Sequence, residues 1–260
     1  MKTQIISITN EKGGVGKTTT TYNLACALSK LGKNVLVCDL DKQCNLSKTC
    51  GYIPDGKPTM CDLVFQSCMG AEPVPAAAIR TSDAGIDYIA SSKMLDTINS
   101  QIAGDADSNY VLKRIFSSDG FKQYDYILLD NKPAIDILTQ NALNASDYVI
   151  IPIEAGIYAF DGIAALTSKI NSLGATTNPK LRVMGILYNK SEKVTKLGKA
   201  VASATAQKYG KLMFNTVVPN RKAQTEDAIS LQRGCVDIKG NTLADTYMAL
   251  AEEVIERGGK

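Results

Sequence analysis

The sequence predicts an α/β fold in which a mostly parallel central sheet carries helices on both faces. Three observations predict it. Short apolar runs near 4–9, 34–39, 86–90, 125–130, 147–152, 182–188 and 214–218 alternate with helical patterns, as strand–helix–strand units do. Several runs are continuously apolar rather than alternating, which marks strands buried on both faces. Third, one of these runs leads into a glycine-rich loop and two others end in aspartates, at strand ends where ligands of parallel sheets gather. With 260 residues, 45% of them hydrophobic, the chain can bury one large core, so residues 1–260 read as a single domain. Residues 51–80 and the acidic stretch 104–107 read as surface loops with short helices.

The first strand, Ile5-Ile6-Ser7-Ile8, runs into Lys12-Gly13-Gly14-Val15-Gly16-Lys17-Thr18-Thr19, and an amphipathic stretch continues to Leu31. Strand, glycine-rich loop and helix in that order make a phosphate-binding loop. The glycines let successive N–H groups point at one anion, and the helix amino terminus adds its partial positive charge. Lys17 is placed to reach the outer phosphates and the Thr18 hydroxyl to ligate Mg²⁺. The general G-x-x-x-x-G-K-[ST] pattern is broken at Glu11, and a second lysine, Lys12, stands five residues before Lys17. Two lysines this close repel unless a polyanion lies between them.

The second strand, Asn34 to Asp41, ends in Asp39-Leu40-Asp41. Residues two apart on an extended chain share a face, so the two carboxylates can hold Mg²⁺ with its water or orient an attacking water. The third, Tyr124 to Asp130, ends in another carboxylate. A later strand closes on Tyr188-Asn189-Lys190, and another on Val217-Val218-Pro219-Asn220.

Together these motifs resemble the ParA/MinD family of P-loop ATPases, whose deviant Walker A loop is K-G-G-x-G-K-[ST]. The resemblance runs from about Gln4 to Glu256 and includes Asn141-Ala142-Leu143, Tyr148 to Pro152, and Leu250 to Val254. It implies a P-loop ATPase using ATP and Mg²⁺, active as a homodimer with ATP at the interface. Lys12 becomes the signature lysine that reaches the partner subunit's nucleotide, and Asp41 the hydrolysis aspartate. Asp130 becomes the Walker B aspartate, holding Mg²⁺ through water. Asn189 is placed at the adenine edge, with Pro219 and Asn220 beside the base. The family's D-x-D-P-Q-x-N reads here Asp39-Leu40-Asp41-Lys42-Gln43-Cys44-Asn45, and its D-T-P-P reads Asp130-Asn131-Lys132-Pro133. The extra lysines, Lys42 and Lys132, are either solvated surface charge or contacts to phosphate or an acidic partner.

Charge is unevenly spread. From Lys180 to Lys222 ten Lys and Arg face one acid, Glu192, which puts +9 on a segment of a chain whose net charge is +3. Such asymmetry suggests a polyanionic partner. In the helix-like stretch 192–208, Lys196 and Lys199 lie opposite an apolar stripe, with Lys193 on its flank. The resemblance implies non-specific DNA as that partner, bound through Lys190, Lys193, Lys196, Lys199, Arg221 and Lys222, and a ParB-like centromere-binding protein that stimulates hydrolysis. No helix-turn-helix segment precedes the loop, as in the short, Soj-like type.

The expected place is the cytoplasm, on the nucleoid in the ATP state. No run has the length of a membrane span, and the seven cysteines lack both C-x-x-C spacing and any histidine, so reduced thiols are expected. The acidic carboxyl-terminal stretch argues against stable membrane association of the MinD kind. The alternative is a related ATPase that positions another protein cargo or acts at the membrane. Iron–sulfur or synthetase chemistry on the same fold is a third class, and the cysteine spacing disfavours its thiolate-dependent members.

Overall fold

The computed structural model describes residues 2–154, 159–191 and 207–259. Among these, eight strands form one sheet: β1 (Gln4–Ile8), β2 (Val35–Leu40), β3 (Ile79–Thr81), β4 (Asp87–Ile89), β5 (Tyr126–Asn131), β6 (Tyr148–Ile153), β7 (Arg182–Ser191) and β8 (Met213–Pro219). Their order across the sheet is β3-β4-β2-β5-β1-β6-β7-β8, with every pairing parallel except β3 with β4. The seven expected strands are therefore present, and parallel.

Strand β3 escaped the sequence reading for a physical reason. It is three residues long and centres on a charged residue, Arg80, which is nevertheless 6% exposed. Its guanidinium donates from Nε and Nη2 to Asp55 at 2.9 and 2.6 Å, and to the carbonyls of Lys57, Pro58 and Ala78. A buried charge so fully paired leaves no apolar pattern to read.

The helices are α1 (Lys17–Lys30), α2 (Asn45–Thr49), α3 (Met60–Cys68), α4 (Pro75–Ala78), α5 (Ile98–Gly104), α6 (Val111–Phe116), α7 (Ile137–Ala145), α8 (Ala159–Thr176), α9 (Lys222–Ser230) and α10 (Ala244–Gly258). Alternate strand residues sort to two sides. Ile6, Ile8, Val35, Val37 and Leu128 join α1 and α10 in one core, whereas Leu36, Cys38, Leu40, Ile127 and Leu129 join α3, α5, α6 and α7 in another. Helix α8 covers β6 and β7 through Ile163, Leu166 and Ile170. Each buried Leu or Ile contributes about 1.5–3 kcal/mol, so the continuous apolar strands themselves drive the layering.

The terminal helix α10 is part of this core. Its apolar face, Tyr247, Leu250, Ala251 and Val254, is fully buried against the sheet side of α1. Its polar face locks the β7–β8 edge. Glu253 accepts from the Asn215 and Thr216 N–H groups at 2.9 and 3.1 Å, while Arg257 donates to Met184 and Met213 carbonyls and lies 4.3 Å from the Phe214 ring centroid. No helix among the described residues is long and apolar enough to cross a membrane.

Candidate functional site

Because β1, β2 and β5 to β8 are parallel, their carboxyl ends meet along one edge, and the motif residues that are described cluster there. The loop from β1 to α1 turns on Gly14 and Gly16, with φ of +77° and +87°. The amino end of α1 has no side-chain cap and no acid in its first turn, so its dipole is free to meet an anion. Lys17 is buried, and its Nζ donates to the carbonyls of Asn10 at 3.0 Å and Lys12 at 3.2 Å. Burial pulls the Lys17 ammonium below the usual lysine range, opposed by the charges of Asp130 and Asp41. Lys12 is exposed at the mouth of the loop.

Two residues brace the loop. Asn10 takes the Lys12 N–H on its Oδ1 at 3.0 Å and donates from Nδ2 to the Pro152 carbonyl at 2.7 Å, which ties the loop to β6. Asn189, 2% exposed at the end of β7, donates from Nδ2 to the Val15 carbonyl at 3.0 Å and the Thr20 hydroxyl at 3.1 Å. Its amide nitrogen stands 2.4 Å from where a Cβ on Gly16 would lie. Glycine at this position therefore answers two demands, a left-handed backbone and a close neighbour.

The acids sit on the next two strands, β5 and β2. Asp39 and Asp130 are register partners on β2 and β5, each 1% exposed. Thr18 donates from its hydroxyl to Asp130 Oδ2 at 2.7 Å, while Asp130 Oδ1 is buried with no hydrogen-bond partner. Burial first, and the facing Asp39 second, push the Asp130 carboxyl well above the carboxylate range. Burial also raises Asp39, against the pull of the Ser47 hydroxyl and N–H at 2.7 and 2.8 Å and the Asp41 N–H at 3.0 Å. Asp41 begins the loop after β2 and accepts the Gln43 N–H at 3.0 Å on Oδ1. Two stacked buried carboxylates, one oxygen of them unsatisfied, form an arrangement that a divalent cation would relieve. Among the described residues no group of three His, Cys, Asp or Glu forms a ready-made metal cage. The residues thus suit an ion held by one or two protein oxygens and its other ligands, the habit of Mg²⁺.

The two extra lysines pair with the protein's own acids, Lys42 at the surface and Lys132 largely buried. Lys42 pairs with Asp96, and Lys132, its side chain 11% exposed, pairs with Asp96 at 3.2 Å and Asp136 at 2.5 Å. Asn131 is buried as well, donating to the Ile8 carbonyl at 3.3 Å and so joining β5 to β1.

Among the expected base and DNA residues, Pro219 and Asn220 lie partly buried at the end of β8, where Pro219 pairs in register with Ser191 of β7. Arg221 and Lys222 are exposed at the start of α9, and Lys222 reaches Glu226 at 3.6 Å. Lys190 lies near the end of β7. Lys193, Lys196 and Lys199 fall outside the described residues. Sequence reading missed Asn10, Ser47 and Asp96. An asparagine directly after a strand and before a glycine loop was the available signal for the first; Ser47 and Asp96 find their partners only through the fold. Clefts of about 630 and 530 Å³ at the opposite, amino-terminal edge of the sheet contain none of the candidate site residues.

Known proteins show which family the chain belongs to. A family model described as an AAA domain matches residues 3–183. The chain is 30% identical over 259 residues to the chromosome partitioning protein ParA of Caulobacter vibrioides, covering 98% of this chain and 94% of that protein. It is 31% identical over 258 residues to the sporulation initiation inhibitor protein Soj of Bacillus subtilis, covering 98% and 99%. In structure it is similar to cobyrinic acid a,c-diamide synthase of Mycobacterium smegmatis with bound ATP analogue and magnesium, with a TM-score of 0.81, 27% identity, and 99% and 96% coverage. With the loop, the paired acids and these relatives in agreement, the chain belongs to the ParA/Soj family of P-loop ATPases.

Proposed function

We propose that this chain is a Mg²⁺-dependent ATPase that closes into a homodimer on ATP, holds DNA without sequence preference in that state, and drives DNA partitioning. A ParB-like partner would stimulate hydrolysis and release. The observation that carries the nucleotide reading is the Thr18–Asp130 pair: one carboxylate oxygen takes the hydroxyl, and the other is buried without a partner beside a loop shaped for phosphate. The solved relative with bound ATP analogue and magnesium supports the same ligands.

In this reading Thr18 and Asp130 hold Mg²⁺, with Asp39 behind them fixed by Ser47. Mg²⁺, when bound, neutralises phosphate charge and polarises the transferring group. Lys17 releases its two loop carbonyls to meet phosphate oxygens, so the lysine is pre-placed rather than recruited. Asp41 positions the attacking water from the loop after β2. Lys12, exposed at the loop, reaches the partner subunit's nucleotide and adds charge to the transition state from outside. Asn189 supports the loop while lying at the strand end expected to face the base, flanked by Pro219 and Asn220. The basic segment 180–222 supplies the DNA contact, with Arg221 and Lys222 at its exposed end, and the ATP state is nucleoid-associated within the cytoplasm.

The test is binding of Asp41→Ala protein to a random-sequence DNA duplex with ATP, ADP and no nucleotide, across a salt series. Binding only with ATP, weakening steeply with salt as released counterions require, is the expected result. Binding in no state would remove DNA from the account and leave a protein cargo as the reading of this ATPase.

A further inference from the structure

Lys42 and Lys132 come from different loops, yet both end on Asp96. Lys42 directly follows Asp41, and Lys132 lies two residues after Asp130. Asp96 stands on a 3₁₀ turn, Lys93–Thr97, whose amino end is capped by the Ser92 hydroxyl on the Met94 N–H at 3.2 Å. Leu95 and Ile98, on either side of it, are 1% and 2% exposed and anchor the turn in the core. Asp96 is therefore a short acid on a fixed post. Below it, Asp136 completes the chain of charges: it takes Lys132 at 2.5 Å, the Asn99 amide at 2.7 Å and the Thr139 N–H at 3.1 Å.

One exposed ion pair fixes little. Here one acid serves two lysines, and one of those is nearly buried and already held by a second acid, so ordering Asp96 and Lys132 once serves both contacts. The loop bearing Asp41 has lysine where the family pattern has proline, and so lacks that ring's restraint on φ at residue 42. A side-chain tie to a fixed post restores restraint at the same position.

We propose that Asp96 is a positioning residue for hydrolysis: through Lys42 and Lys132 it fixes the loop of Asp41 and the end of β5 relative to each other, and so sets the Asp41 carboxylate toward the Lys17 loop. This rests on the reading of the site as an ATPase in which Asp41 positions water. Asp96 touches neither nucleotide nor metal in this account. It acts only through the two lysines.

The experiment compares wild type, Asp96→Asn and Asp96→Glu by steady-state ATP hydrolysis at low and high salt, and by amide hydrogen exchange without nucleotide. Asp96→Asn should lower kcat about fivefold at low salt, the size expected from two screened pairs, with KM for ATP unchanged. The deficit should close near 0.5 M salt, where screening weakens the wild-type pairs too, and Asp96→Glu should restore most of the rate. Amides 41–43, 131 and 132 should exchange faster in Asp96→Asn. Equal kcat at low salt would overturn the proposal, as would Asn and Glu variants impaired alike with lowered thermal stability. Exchange reports the tie without turnover. A wild type that does not hydrolyse ATP removes the ATPase reading and the catalytic half of the proposal, whereas unchanged exchange in Asp96→Asn overturns the tie itself.

Discussion

Gly16→Ala tests the architecture of the phosphate loop most sharply, because its cost can be built from two separate terms. The first is backbone. Gly16 has φ +87°, and an alanine in the left-handed region costs about 1–2 kcal/mol. The second is the neighbour. The new Cβ would lie 2.4 Å from Asn189 Nδ2, so the buried amide must move and give up its bonds to the Val15 carbonyl and the Thr20 hydroxyl. Losing two such bonds in a buried place costs about 2–3 kcal/mol. The total, about 3–5 kcal/mol, corresponds to a fall in Tm of about 10 °C for a domain of this size. Asn189→Ala alone loses the same bonds and should cost about 2–3 kcal/mol. In the double variant the Gly16→Ala methyl enters the space that the amide left, so the bond loss counts once, not twice. Urea unfolding without nucleotide should then give a double variant about 2 kcal/mol more stable than the two single losses predict. Additivity within about 0.5 kcal/mol would refute the claim that Asn189 is what crowds Gly16.

Lys17→Ala should abolish ATP binding in calorimetry, and retained affinity would remove the phosphate-loop assignment. Lys12→Ala should keep ATP affinity but lose the ATP-dependent dimer in sedimentation, since the exposed lysine is assigned to the partner's nucleotide; an unchanged dimer population would refute that role. Glu253→Gln concerns the fold rather than the site. Burial alone would raise the Glu253 carboxyl, but the Asn215 and Thr216 N–H groups and Arg257 hold it below the ordinary glutamate range. A depressed carboxyl contributes stability above its unfolded pKa of about 4.3 and loses it as pH falls through the folded value. The variant should therefore be about 2 kcal/mol less stable than wild type at pH 7, with the gap shrinking below about pH 4. A gap that does not change with pH would show that packing, not charge, sets the cost.

The centre of the sheet was legible because β1, β2, β5 and β6 are almost wholly buried. Runs such as Ile127-Leu128-Leu129 carry no competing pattern, and the aspartates that end two of the runs mark the carboxyl edge. The phosphate loop was legible because its requirements are local: glycines at positive φ, a lysine and a hydroxyl, all within eight residues. What sequence could not supply is contact between distant segments. Arg80 hides a strand by pairing with Asp55, twenty-five residues back. Lys42 and Lys132 read as either solvated charge or contacts to phosphate or an acidic partner, and the ion pairs that both make with Asp96 could be seen only in the fold. Asn189, expected from the family resemblance to face the base, is also the wedge beneath Gly16, a role set by a contact across 174 positions of sequence.

The most direct test of the central claim is Asp41→Ala with Mg²⁺ and ATP, monitored by sedimentation and phosphate release together. An ATP-bound dimer should accumulate and release no phosphate, because the loop, Thr18 and Asp130 are intact and only the water-positioning carboxylate is gone. Phosphate release at the wild-type rate would contradict it and assign that role to another residue. Loss of ATP binding would contradict it more deeply, since Asp41 would then belong to the nucleotide site itself.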